Sequence, residues 1–210
     1  MDFVLKCGWY ALLIAVVGEM LIPILLAPCY KGYNPVIMTI SSLGNVNSPV
    51  RIPFNLWMLL AGILFLAATP VLYSTYYLVS KPLTVVMVLF IAIFAVGACI
   101  FTCFFSVNET RDVVTTSSKI HAAGSVIGFM VLLFVPLFIA ILSFKINDTV
   151  TGSVSSISFL LALLFFVLFV MADKPELQQT WVAKEGVWQR MNLLFMYLPL
   201  AYLAVKNIFG

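Results

Sequence analysis

Residues 33–53 read YNPVIMTISSLGNVNSPVRIP and form the longest polar interruption in the most hydrophobic half of the chain. Proline and glycine punctuate this stretch, and both residues favour turns over a continuous helix. Its IMTISSLG portion is short and amphipathic, and Gly44 suits the end of one or two helical turns. We therefore predict a structured loop at the membrane surface, with an apolar helix on either side of it.

The composition of the whole chain points to a membrane protein. Of its 210 residues, 63% are hydrophobic and 9% are charged, whereas soluble domains carry about 25% charged residues. A hydrocarbon core about 30 Å thick needs about 20 apolar residues per helix. We expect an all-α membrane protein, with a six-helix transmembrane bundle that forms one polytopic domain over residues 1–210. The expected spans are 7–28, 54–78, 83–105, 119–144, 155–172 and 191–208.

Six spans place the long loops on one side of the membrane. By parity, the loops 29–53, 106–119 and 173–190 share one face, and both termini share the other. Basic residues have similar densities on the two faces, so the positive-inside rule leaves the orientation open. No Lys/Arg cluster suggests nucleic-acid binding, and membrane lipids are the expected surroundings.

Aromatic residues mark the ends of the second expected span. It opens with Trp57 and closes with Tyr73, Tyr76 and Tyr77, a pattern typical of the two membrane interfaces. The fifth span is rich in Phe and Leu, which predicts a lipid-facing helix.

Glu19 lies near the middle of the first expected span. An ionisable residue at that depth is costly unless it is paired, protonated or next to a wet cavity, and it counts as a functional candidate. Pro23 has no N–H to donate to the Glu19 carbonyl, so one turn offers a free carbonyl beside a carboxyl group. Two interpretations remain open: a protonated structural group, or a group that handles an ion, proton or ligand.

Other polar residues are expected on the same side as the long loops. His121, the single histidine, opens the fourth span and is either a structural hydrogen-bonded residue or a base, ligand contact or pH switch. Arginine at the rim could hold a lipid phosphate in bidentate fashion or pair with Glu109 and Asp112. The full candidate ligand-binding set is Glu19, His121, Arg51, Arg111, Ser41, Ser42 and Asn47.

Several kinds of chemistry are excluded or disfavoured by the residue types. One histidine excludes bis-histidine haem ligation and a multi-histidine zinc hydrolase. The chain has no Gly-x-Ser-x-Gly elbow, Walker loop or Rossmann glycine set. We expect no cofactor and no metal, and we interpret the four cysteines as packing residues. Ser41 or Ser42 could form a catalytic Ser/His pair with His121, which makes His121 a weak catalytic candidate.

Small residues predict a close helix contact. Gly124 and Gly128 have small-xxx-small spacing in the fourth span, and Gly97 and Ala98 are small residues of the third. Such residues allow two helix backbones to approach closely. The partner surface could belong to this chain or to another membrane protein.

Residues from several parts of the chain carry a family resemblance. Tyr33, Thr39–Gly44 and Asn47-Ser48-Pro49, then Phe104-Phe105, His121 and Gly186–Arg190, resemble the membrane family called domain of unknown function 998. The chain departs from the family pattern at Ser42 and at Ser106-Val107-Asn108, where an acidic residue and a Pro followed by Asp are expected. The resemblance implies six spans in a prokaryotic cell membrane with the long loops outside, and no particular reaction.

These patterns lead to three functional hypotheses. The leading one is binding or transport of a small amphiphile, lipid or ion in a polar pocket on the long-loop face. The second is an enzyme acting on lipid headgroups with His121 as general base. The third is a structural or regulatory partner of another membrane protein, which would associate through Gly124 and Gly128.

Overall fold

The computed structural model describes residues 3–108 and 114–210. Within these ranges six helices are long and apolar enough to cross a membrane, which confirms the predicted all-α class and six-helix bundle. The six helices are α1 Phe3–Leu26, α2 Arg51–Tyr76, α3 Lys81–Phe104, α4 Thr116–Lys145, α5 Thr149–Ala172 and α6 Glu185–Phe209. Between α1 and α2, the predicted short helical element is the 3-10 helix Ile40–Gly44.

Two helices extend further into the polar sequence than hydropathy indicates. The helix α5 begins at Thr149 rather than at residue 155, and α6 begins at Glu185 rather than at residue 191. Apolar content marks only the part of a helix inside the hydrocarbon, and at α5 a capping group allows the helix to begin earlier. The Asp148 side chain caps α5 by accepting a hydrogen bond from the Thr151 N–H at 3.3 Å. Arg190 accordingly lies in α6 and not in the third loop.

The helices pack in chain order into a ring that closes between α1 and α6. The helix α4 is broken between its two halves, Thr116–Leu132 and Val135–Lys145. Pro136 contributes to the break because it has no N–H to donate to the carbonyl of Leu132. The second half of α4 packs closely against α5, whereas in the described residues the first half packs mainly against α3.

Two polar contacts link helices near the end that carries the chain termini. Tyr76 of α2 and Ser143 of α4 form a buried hydrogen bond of 2.9 Å. Nearby, Lys206 of α6 pairs with Asp148 at 2.5 Å. The long loops lie at the opposite end of the bundle.

The predicted close helix contact is confirmed within the chain, between α3 and α4. A Cβ built on Gly124 would come within 2.5 Å of the Gly97 carbonyl oxygen, and a Cβ on Gly128 within 2.7 Å of the Ala98 Cβ. This part of α3 is a π-helix, Ala95–Phe101, a variant often found near functional sites. Only glycine lets the two backbones approach this closely.

We expect Gly124→Val to reduce the free energy of unfolding by about 1–3 kcal/mol, because the new side chain would overlap the Gly97 backbone. Ala123→Val is the matched control, since Ala123 is exposed on the same helix. Thermal unfolding of both variants in the same detergent measures the difference. Equal melting temperatures for the two variants would contradict the proposed backbone contact.

Candidate functional site

A cavity of about 1500 Å³ opens on the long-loop face of the bundle. It is larger than the roughly 300–1,000 Å³ typical of sites for small molecules. Five phenylalanine rings line it, from α2, α3, α4 and α5: Phe54, Phe94, Phe129, Phe166 and Phe169. All three long loops contribute to its upper wall, which agrees with their predicted placement on one face. The cavity occupies the space left where the first half of α4 separates from α5.

The cavity wall is incomplete between α4 and α5. The first half of α4 packs mainly against α3 and not against α5. Val126 and Met130 of α4 and Val170 of α5 line the cavity, and each is half exposed or more. We call the gap between these two helices the lateral opening.

Glu19 reaches the cavity wall from α1 and is held by two aromatic donors. The Trp57 indole N–H of α2 donates to Oε1 at 2.9 Å, and the Tyr197 hydroxyl of α6 donates to Oε2 at 3.3 Å. Only 6% of the Glu19 surface is exposed. The carboxyl group thus joins α1, α2 and α6 and has no cationic side chain among its described hydrogen-bond partners.

Gly18 makes room for the Trp57 ring beside Glu19. A Cβ at residue 18 would lie 2.1 Å from a ring carbon of Trp57. Any other residue would push the indole out of this place, because the ring is rigid and packed between helices. The Gly18-Glu19 pair therefore explains how a bulky donor on α2 reaches a carboxyl group on α1.

The hydrogen bond of His121 to the Phe105 carbonyl determines which ring nitrogen carries the hydrogen. Its Nδ1 lies 2.7 Å from the Phe105 carbonyl oxygen. A carbonyl can only accept, so Nδ1 carries the hydrogen and Nε2 of the neutral ring carries a lone pair. Nε2 has no hydrogen-bond partner in the described part of the chain, and the side chain is only 6% exposed. His121 therefore offers an unused acceptor at the cavity wall.

The first loop covers the cavity, and we call its residues 33–44 the lid. The Arg190 side chain of α6 binds main-chain carbonyl groups of the lid. It donates to the Pro35 carbonyl at 2.8 Å and to the Met38 carbonyl at 3.2 Å. It also donates to the Tyr33 hydroxyl, which in turn donates to the Thr39 carbonyl. Burial raises the pKa of Tyr33, an effect that the Arg190 charge opposes, so the phenol remains a donor at neutral pH.

A second set of contacts fixes the lid on the start of α6. Gln189 Oε1 accepts a hydrogen bond from the Ile40 N–H at 2.7 Å, and the Val187 N–H donates to the Val36 carbonyl at 3.1 Å. Gly186 lies directly under the lid, since a Cβ there would be 2.4 Å from the Pro35 carbonyl oxygen. The lid is thereby anchored through its main chain.

Four of the sequence-predicted site residues line this cavity together. They are Glu19, His121, Ser41 and Ser42. The two serines come from the 3-10 helix of the lid, and each lies 3.1 Å from the Thr39 hydroxyl. Sequence and structure therefore agree on a polar group from α1, one from α4 and a hydroxyl cluster above them.

The structure does not bring Arg51 and Asn47 into the cavity. Arg51 lines a separate groove of about 270 Å³ on the outside of α2 and α3, because its Nε donates to Ser106 Oγ at 3.0 Å. Asn47 is exposed, in a turn where its N–H donates to the Asn45 side chain at 2.8 Å. Arg111 lies outside the described residues. The described residues also contain no group of three His, Cys, Asp or Glu that could hold a metal.

Sequence reasoning missed several residues of the site. Trp57 was assigned to the membrane interface, yet its N–H donates to Glu19. Gln189 and Arg190 were assigned to a loop, yet they lie in α6 and hold the lid. Tyr197 carried no signal beyond its polar hydroxyl in an apolar helix. Its spacing from Gln189, two helical turns, is the one sequence feature that places both on the same face.

We expect Arg190→Lys to loosen the lid, because a lysine cannot reproduce the forked donation to two carbonyl groups. Amide hydrogen exchange at residues 36–42 should become faster, with a loss of stability of about 1–3 kcal/mol. Arg51→Lys is the matched control, since Arg51 does not contact the lid in the described structure. Unchanged exchange in Arg190→Lys would show that the guanidinium does not hold the lid.

Comparison with known proteins agrees with the resemblance noted from the sequence. A family model described as "Protein of unknown function (DUF998)" matches residues 11–206. No curated protein and no solved structure matches the chain. The match includes most of α1 and α6, the whole of the other four helices, and the lid. The chain therefore belongs to the DUF998 family, and it is a member with six helices of membrane-spanning length.

Proposed function

We propose that this protein binds an amphiphile, with the polar head inside the cavity and the apolar chain directed to the lateral opening. The observation that carries the proposal is the cavity itself, which combines aromatic walls, a lateral opening and buried polar groups. Glu19 and His121 supply acceptors for a head group, and the phenylalanines suit an alkyl chain. Binding or carriage is favoured over a continuous ion pore, because the described cavity lining comes from the long-loop half of the bundle and does not include Tyr76 or Ser143, which form a buried hydrogen bond towards the other end.

Blocking the cavity tests this proposal. Ser125 lines the cavity, so Ser125→Trp should fill it, while Ile127 is exposed on the outside of the same helix. We expect Ser125→Trp to reduce the affinity for ten-carbon amphiphiles at least about tenfold, and Ile127→Trp to leave it unchanged. Titration calorimetry in phosphatidylcholine nanodiscs, with empty nanodiscs subtracted, gives the affinities. Equal binding by both variants would place the ligand outside the cavity.

A second candidate function is turnover of lipid headgroups with His121 as general base. It is favoured by the hydrogen bond from Nδ1 to Phe105, which orients the ring and leaves Nε2 basic. Ser41 and Ser42 lie in the wall of the same cavity. A base and two hydroxyl groups that could act as nucleophiles therefore line one cavity.

This second function predicts that purified protein converts a fluorescent phospholipid and that His121→Ala abolishes the conversion. Losing a general base typically lowers the rate about 10²–10⁴-fold. Thin-layer chromatography of the labelled lipid measures the product. Ser118→Ala is the control, since Ser118 lies one turn before His121 and lines the same cavity. Conversion at the parent rate in His121→Ala would exclude the role of His121.

A further inference from the structure

The surroundings of Glu19 contain donors but no positive charge. The Trp57 indole can only donate, and the Tyr197 hydroxyl is the second donor. From α3, the buried thiol of Cys99 also faces this carboxyl group. Among the described residues, no lysine or arginine contacts Glu19.

A second polar group of the cavity wall also offers an acceptor. His121 is neutral in the tautomer described above, and its Nε2 has no hydrogen-bond partner in the described part of the chain. Lys119, Asp173 and Glu185 are the other charged residues of the described lining. Glu19 and His121 thus present acceptors to the cavity, and a ligand with positive charge and N–H donors would complement these two groups.

A buried carboxylate without a counter-charge is strongly unfavourable in a membrane. Neutral donors such as Trp57 and Tyr197 stabilise it only in part. In the empty cavity, the low-energy form of Glu19 keeps its proton. A cationic head group beside Glu19 changes this balance, because it supplies a positive charge that no hydrogen-bond partner of Glu19 in the described residues provides.

We infer that the cavity selects amphiphiles with an ammonium head group, and that the head group binds Glu19 in exchange for its proton. The inference rests on the proposed function and names its ligand class. The Glu19 O–H bond breaks, the proton passes to bulk water, and the resulting carboxylate forms an ion pair with the ammonium group. The phenylalanine rings add cation–π attraction to the head group and apolar contact to the chain.

Three amphiphiles with the same ten-carbon chain test this inference: decylammonium, decanol and decyl sulfate. Calorimetry with the protein in phosphatidylcholine nanodiscs should show decylammonium binding at least about tenfold more tightly than the other two. Binding should release up to about one proton, seen as a difference in heat between phosphate and Tris buffers of equal pH. Because protons compete with the ligand, the affinity for decylammonium should fall as the pH is lowered, by up to about tenfold per pH unit.

Glu19→Gln should retain decanol binding but lose both the preference for decylammonium and the proton release. Glu176→Gln is the matched control, since Glu176 is exposed in the third loop and does not line the cavity. If Glu19→Gln does not fold, the proton release of the parent protein decides the question.

The possible outcomes separate this inference from the proposed function. Equal binding of all three amphiphiles overturns the inference and leaves the proposed function intact. A preference for decylammonium without proton release, or one that persists in Glu19→Gln, also overturns the exchange at Glu19. Binding of none of the three overturns the proposed function and the inference together.

Discussion

A carboxyl group in the membrane part of a helical bundle must find its hydrogen bonds inside the protein, and Glu19 does so across three helices. Trp57 and Tyr197 reach it from α2 and α6, the helices that pack on either side of α1. The polar contact therefore lies where the ring of helices closes. Gly18, next to Glu19 in the chain, is part of the same arrangement because it gives the indole its space.

The cavity beside Glu19 results from the way α4 divides between two neighbours. Its first half packs against α3, where Gly97 and Gly124 bring the backbones together. Its second half packs against α5, and Pro136 lies at the break between the two halves. A straight helix could not satisfy both contacts, so a gap opens between α4 and α5 at the long-loop end. The open space is thus a product of tight packing on either side of it.

Hydropathy predicted the helices and the shared loop face, because apolar length is a strong signal in a membrane protein. Glu19 and His121 were also recognisable, since ionisable residues stand out in apolar sequence. Trp57 was not, because an interfacial tryptophan and an internal donor look alike in sequence. Asn47 points away from the cavity because of a local turn with Asn45, and Arg51 does so because it donates to Ser106, which is distant in sequence. In sequence, the phenylalanines of the cavity wall cannot be distinguished from phenylalanines that face lipid.

Most hydrogen bonds that hold the lid on α6 go to its main chain, while Tyr33, Ile40 and Leu43 pack their side chains into the core. Arg190 and Gln189 contact backbone groups of Pro35, Met38 and Ile40, and backbone atoms are the same whatever the side chains. Residues that face the cavity, such as Ile37 and Ser41, are therefore free of any anchoring task. Sequence divergence at these two sites would change the shape and polarity of the cavity wall without breaking these hydrogen bonds, so the wall can vary during evolution while the lid stays in place.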